Sequence, residues 1–135
     1  MTPDRRLLSA ALAVTMAVVA ALTLLPQRDG WAWGSPAAEL RWYATGLDST
    51  TTVLQLFGNL GLLTAPAVLA VLRWPALGRP VPLAAAALAT GIAIELLQWV
   101  LPLGRVVSPL DALLNAAGAV VAGLLAARMR RAVPA

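Results

Sequence analysis

The stretch from Pro82 to Leu101 reads PLAAAALATGIAIELLQWVL, twenty residues in which Thr90, Glu95 and Gln98 are the only hydroxyl, charged or amide side chains. At about 1.5 Å of rise per residue, a helix of this length matches the roughly 30 Å hydrocarbon core of a bilayer. Three further apolar stretches, Leu7 to Leu25, Ser49 to Leu72 and Pro109 to Ala127, are long enough to do the same. The expected fold is therefore all-α: an integral membrane four-helix bundle, with residues 1–135 forming one domain.

Composition supports lipid as the main solvent. Of the 135 residues 60% are hydrophobic and 12% charged, and the mean hydropathy is +0.80. A chain this short cannot bury so much apolar surface in a water-soluble core. With no Cys and no His, disulfides, thiol nucleophiles and imidazole chemistry are excluded, and neither a metal nor a cofactor is expected. Carboxylates, amides, hydroxyls and arginine carry whatever chemistry there is. The net charge of +4 comes with no basic patch interleaved with aromatics, so nucleic acid is not an expected partner, whereas membrane lipids are.

The spans are bounded by helix punctuation. Asp48 can cap the second, Pro82 suits the first turn of the third, Pro102 closes it, and Ser108 followed by Pro109 opens the fourth. The opening MTPDRR and its apolar run could be read as a secretory signal. The run exceeds a usual signal core and no clear small-x-small cleavage site follows, so a retained first helix is the expectation. Arg5, Arg6, Arg73, Arg79, Arg128, Arg130 and Arg131 fall on one side of the membrane, with Arg28, Arg41 and Arg105 on the other. Positive charge retained inside then puts both termini in the cytoplasm. The outer loop, Pro26 to Asp48, holds Trp31, Trp33, Trp42 and Tyr43, and Ser35-Pro36-Ala37-Ala38-Glu39 starts a short helix near 36–45. Its aromatics suit an interfacial anchor, or a lid over the bundle.

Polar residues within the spans are the candidate site, because a charge at mid-membrane costs about 2.5 to 3.5 kcal/mol. Asn59, Glu95, Gln98, Asp111 and Asn115 share one depth in the outer third, with Arg105 on the turn above. Gln55 and Asn59 are four apart, Glu95 and Gln98 three apart, and Asp111, Asn115 and Gly118 continue at four and three, so each helix carries one polar stripe. Three stripes turned to a shared interior would make a pocket opening outward. Glu95 lies about 9 Å below the interface by helical rise and needs a partner, for which Arg105 is the best placed. Asp111 stands at the fourth position of a capping box begun by Ser108. The amides can equally be interhelical glue. Gly91, Gly118 and Gly123 pair with small residues four away and read as close-packing positions, while Pro66 frees the Leu62 carbonyl and should kink the second span.

From Phe57 to Leu125 the chain resembles the VanZ-like family of small bacterial membrane proteins. The resemblance rests on GNLGLLTAP with Asn59, on IELLQ with Glu95 and Gln98, and on Arg105 followed by SPLDALLNAAG, which supplies Asp111, Asn115 and Gly118. It implies a multi-pass protein of the bacterial plasma membrane. The family's namesake is linked to low-level teicoplanin resistance, which does not make this chain a resistance protein. Three functions compete. The first is an outward pocket that binds a cell-envelope lipid, precursor or lipid-linked glycan headgroup, with Arg105 and the amides as donors. The second is a structural or regulatory bundle whose polar layer is glue. The third is a membrane enzyme using Glu95 and Asp111 as acid and base, which no nucleophile motif or phosphate-binding loop supports.

Overall fold

A computed structural model describes residues 4–27 and 31–132. Arg28, counted above among the outer arginines, Asp29 of the same loop and the side chain of Trp31 lie outside the described residues. Helix α1 is Arg5–Leu24, begun by Asp4, whose Oδ1 accepts the Arg6 N–H at 2.8 Å. Strand β1, Trp31–Trp33, leads into α2, Pro36–Thr45, with Pro36 in its first turn. The second span is α3, Thr50–Leu62, followed by α4, Thr64–Arg73. A 3-10 turn, Pro75–Gly78, connects it to α5, Pro80–Val100. Strand β2, Arg105–Val107, precedes α6, Pro109–Ala132.

Among the described residues four helices, counting α3 and α4 as one, are long and apolar enough to cross a membrane. Only 17% of the apolar window of α1 is buried by protein, and only 33% of that of α6, so most of each span meets the surrounding solvent, as expected for lipid-facing helices. The break in the second span falls at Leu63, one residue after the carbonyl that Pro66 cannot serve. There Thr64 Oγ1 donates to the Gly61 carbonyl at 2.7 Å. Asp48 does not cap this helix: it lies one residue early, in a turn where the Ser49 N–H donates to the Gly46 carbonyl, and Ser49 takes the cap position without a side-chain bond.

Helix α6 is the hub, packing on α3, α4 and α5, while α1 packs on α4 and α5 from outside. Its buried face is Ala112, Asn115, Ala116, Ala119, Gly123 and Ala127, small side chains that let neighbouring backbones come close. A Cβ on Gly118 would lie 1.7 Å from the Leu60 carbonyl oxygen, and one on Gly91 2.7 Å from the Ala112 oxygen. The core is correspondingly thin, with Val19, Leu63, Ala67, Ala87, Ile94, Ala116 and Ala119 in one cluster and Val71, Leu83 and Ala127 in another.

The two short strands were not apparent from the sequence. They pair in parallel, Trp31 opposite Arg105 and Trp33 opposite Val107. The pairing is prolonged by the Gln27 N–H on Leu103 and the Gly34 N–H on Val107, both at 2.8 Å. Gly104, at φ 66°, supplies the left-handed turn that brings β2 into place. The outer loop is thereby fastened to the turn between α5 and α6, and α2 is laid across α3 and the start of α6.

Candidate functional site

The antiparallel spans gather Arg5, Arg73, Arg79, Arg128, Arg130 and Arg131 at one end of the bundle. At the opposite end, between the end of α1, one face of α3, the end of α5, β2 and the start of α6, lies a cavity of about 650 Å³. Asn59, Glu95, Gln98, Arg105, Asp111 and Asn115 all line it, together with Gln55, Thr51, Gly58 and Thr23. The six residues singled out by depth and helical phase are thus brought together on one surface.

Their bonding divides them. Gln98 Nε2 donates to the Thr23 carbonyl at 3.1 Å, and Arg105 donates to the carbonyls of Leu22, at 2.7 Å, and Leu25, at 3.2 and 3.3 Å. These are last-turn carbonyls of α1 that no helical N–H reaches, and a guanidinium also suits the negative end of the helix dipole. The expected Arg105–Glu95 pair is therefore not formed: α1 ends beside β2 and claims the guanidinium first. Glu95 Oε2 instead accepts the Ser108 N–H at 2.7 Å.

Ser108, 1% exposed, is the junction of the site. Its Oγ accepts the Asp111 N–H at 3.2 Å, the first half of a capping box, and donates to Glu39 Oε2. The second half, a carboxylate on the cap residue's N–H, comes from Glu95 on the neighbouring helix rather than from Asp111. The Asp111 carboxylate is released from capping and accepts from the Tyr43 hydroxyl at 3.4 Å. Sequence reading had named Glu39 and Tyr43 only as parts of the outer helix. Their spacing of four residues, a carboxylate and a phenol on one face of α2, was the available signal.

Tyr43 is 7% exposed, and through it α2 packs on the start of α6. Burial, and next the Asp111 carboxylate, push its pKa up from 10.0 to about 12, while the Asn59 amide, near the phenol but outside hydrogen-bonding geometry with it, acts in the opposite sense. The folded chain holds the phenol proton more tightly than the unfolded chain does. This contribution to stability is complete below about pH 10 and is lost as pH rises through about 12. Tyr43 is the single tyrosine, so phenolate absorbance in detergent reads it directly. A midpoint near 12 is expected, falling in Asp111→Asn; an ordinary midpoint near 10 would separate Tyr43 from Asp111.

Two polar atoms on the cavity wall, Asn59 Nδ2 and Asn115 Oδ1, are buried with no hydrogen-bond partner among the described residues. A third, Thr52 Oγ1, lies off the cavity. Among the described residues no group of three or more acidic side chains is arranged to hold a metal ion.

A family model described as VanZ/LLP1 matches residues 11–130. The chain belongs to the VanZ/LLP1 family. No curated protein and no solved structure matches it. The VanZ/LLP1 match reaches beyond the Phe57 to Leu125 region of the resemblance and takes in most of α1. Within that range α1 presents the carbonyls on which Gln98 and Arg105 close the cavity. The protein is a multi-pass VanZ/LLP1 membrane protein with its polar layer at the end of the bundle opposite Arg5, Arg73, Arg79, Arg128, Arg130 and Arg131.

Proposed function

We propose that this VanZ/LLP1 bundle binds the polar head of a cell-envelope lipid or lipid-linked precursor in the cavity between α3, α5 and α6. The observation that carries the reading is the pair of unpartnered amide atoms on the cavity wall, a donor on Asn59 and an acceptor on Asn115. Leaving such atoms unpaired costs about 1 to 3 kcal/mol each, a cost that a ligand with both a donor and an acceptor would remove. The family resemblance and the arginine asymmetry support a bacterial plasma membrane with both termini cytoplasmic, an orientation in which the cavity would open outward. Envelope maintenance, and the glycopeptide tolerance associated with the family's namesake, are the phenotypes such binding would serve.

The structural reading holds for part of the layer. Gln98 Nε2 and two nitrogens of Arg105 are engaged at the end of α1, so these residues shape the cavity, while Asn59, Asn115, Gln55 and the oxygens of Glu95 and Asp111 not already bonded are left for its contents. A photo-crosslinker at position 55 should capture a restricted set of envelope lipids, whereas one at the outward-facing Val121 should capture bulk lipid. Identical captures from the two positions would leave the polar layer as internal glue.

A further inference from the structure

Glu95 and Asp111 are two carboxylates in one cavity within the spans, and among the described residues no cation forms an ion pair with either. Each has one oxygen already bonded, Glu95 Oε2 to the Ser108 N–H and Asp111 Oδ1 to the Tyr43 hydroxyl. Glu95 Oε1 and Asp111 Oδ2 remain. The one guanidinium on the cavity has its Nε and Nη2 committed to α1 carbonyls. Carboxylates at this depth must be neutralised, paired or solvated. The independent observation is Asn115, 2% exposed, whose Oδ1 is an orphan acceptor on the same wall, one helical turn from Asp111.

We infer that the cavity is built for a primary ammonium group, which would donate its three N–H bonds to Glu95, Asp111 and the Asn115 carbonyl. This rests on the headgroup-binding reading above and narrows it. An ammonium offers three donors and no acceptor, so it answers Asn115 and the unpaired carboxylates and leaves the Asn59 donor to an oxygen elsewhere on the same headgroup, whereas a phosphate in its place would meet the carboxylates as a like charge. Glu95 also lines an apolar groove of about 180 Å³ with Trp33, Ile92, Leu96 and Trp99 on the outer surface of the bundle. Lipid chains therefore have apolar surface within reach of the same carboxylate. The amine has two possible sources, a lipid headgroup or a free amine arriving from water.

Native mass spectrometry of the full chain in detergent separates these. The probes are short-chain phosphatidylethanolamine, its N-acetylated counterpart, phosphatidylglycerol with the same chains, and chain-free phosphoethanolamine. Phosphatidylethanolamine should be retained on the order of tenfold better than the acetylated lipid or phosphatidylglycerol, the worth of charge-assisted hydrogen bonds. Asp111→Asn should erase that preference. Glu95→Gln, which keeps an acceptor for Ser108, should do the same and serves if the first variant fails to fold.

Gly58 lines the cavity, and a Cβ there meets nothing within 4 Å, so Gly58→Trp can fill the space without a clash at the Cβ. It should abolish retention of the ethanolamine lipid. Equal retention of chain-free phosphoethanolamine would support the ammonium site and assign it to a free amine. Retention blind to headgroup but abolished by Gly58→Trp would overturn the ammonium assignment and leave headgroup binding standing. Retention indifferent to Gly58→Trp for every probe would overturn both.

Discussion

Gly118→Ala is expected to destabilise the bundle by about 3 kcal/mol or more, the upper range for overpacking a close contact. The added Cβ would fall 1.7 Å from the Leu60 carbonyl oxygen and 2.7 Å from its carbon. These are backbone atoms of α3, so no side chain can turn aside, and α3 and α6 must separate. Asn59 and Asn115 stand on those two helices close to the contact, and the cavity wall would open with them. Two glycines grade the effect. Gly123→Ala meets Leu83 Cδ2 at 2.7 Å, the end of a side chain, and should lose less; Gly61→Ala meets nothing within 4 Å and should lose nothing. Unfolding in mixed micelles with increasing denaturing detergent, followed by helical circular dichroism, ranks the three. Equal midpoints for Gly118→Ala and Gly61→Ala would refute the close approach of α3 and α6.

Arg105→Met should cost about 3 kcal/mol, because it strips charge-assisted hydrogen bonds from carbonyls that have no other donor. The methionine keeps an apolar stem but leaves the Leu22 and Leu25 carbonyls bare where α1 ends. Damage should be local: amide exchange over Ala21 to Leu25 and proteolysis near Pro26 should rise before the rest of the bundle loosens. Arg105→Lys should recover only part, since one ammonium cannot reproduce a planar fork that spans two carbonyls. A double-mutant cycle with Glu95→Gln should show coupling near zero, because the two side chains do not pair. Strong coupling would restore the ion pair that sequence proximity had suggested.

That corrected pair shows where sequence reading reaches its limit. Depth within a span follows from counting residues at a known rise, and helical face follows from spacing. Both are local, so Asn59, Glu95, Gln98, Asp111 and Asn115 could be placed at one level and one stripe per helix before any coordinates. Partner choice is not local. Arg105 had two possible acceptors, a carboxylate ten residues earlier in the sequence and the carbonyls at the end of a helix eighty or more residues away in the chain. The latter won because β1 pairs with β2 and brings the end of α1 alongside. Strands of three residues carry no usable periodicity, so this pairing could not be read in advance. The same holds for Ser108, Glu39 and Tyr43, whose junction forms only when α2 is laid over the start of α6.

The four spans, the short outer helix, the break before Pro66 and the level of the polar layer were determined by the sequence alone. Each depends on hydropathy, helical rise or the missing proline N–H, properties that belong to a segment whatever surrounds it. Tertiary structure alone decided that Arg105 closes α1, that Glu95 completes a cap begun on another helix, and that Asn59 and Asn115 are left facing a cavity with an unpaired donor and acceptor. Those outcomes depend on which groups arrive within hydrogen-bonding distance, and in a medium without water the arriving neighbour settles how each polar atom is satisfied.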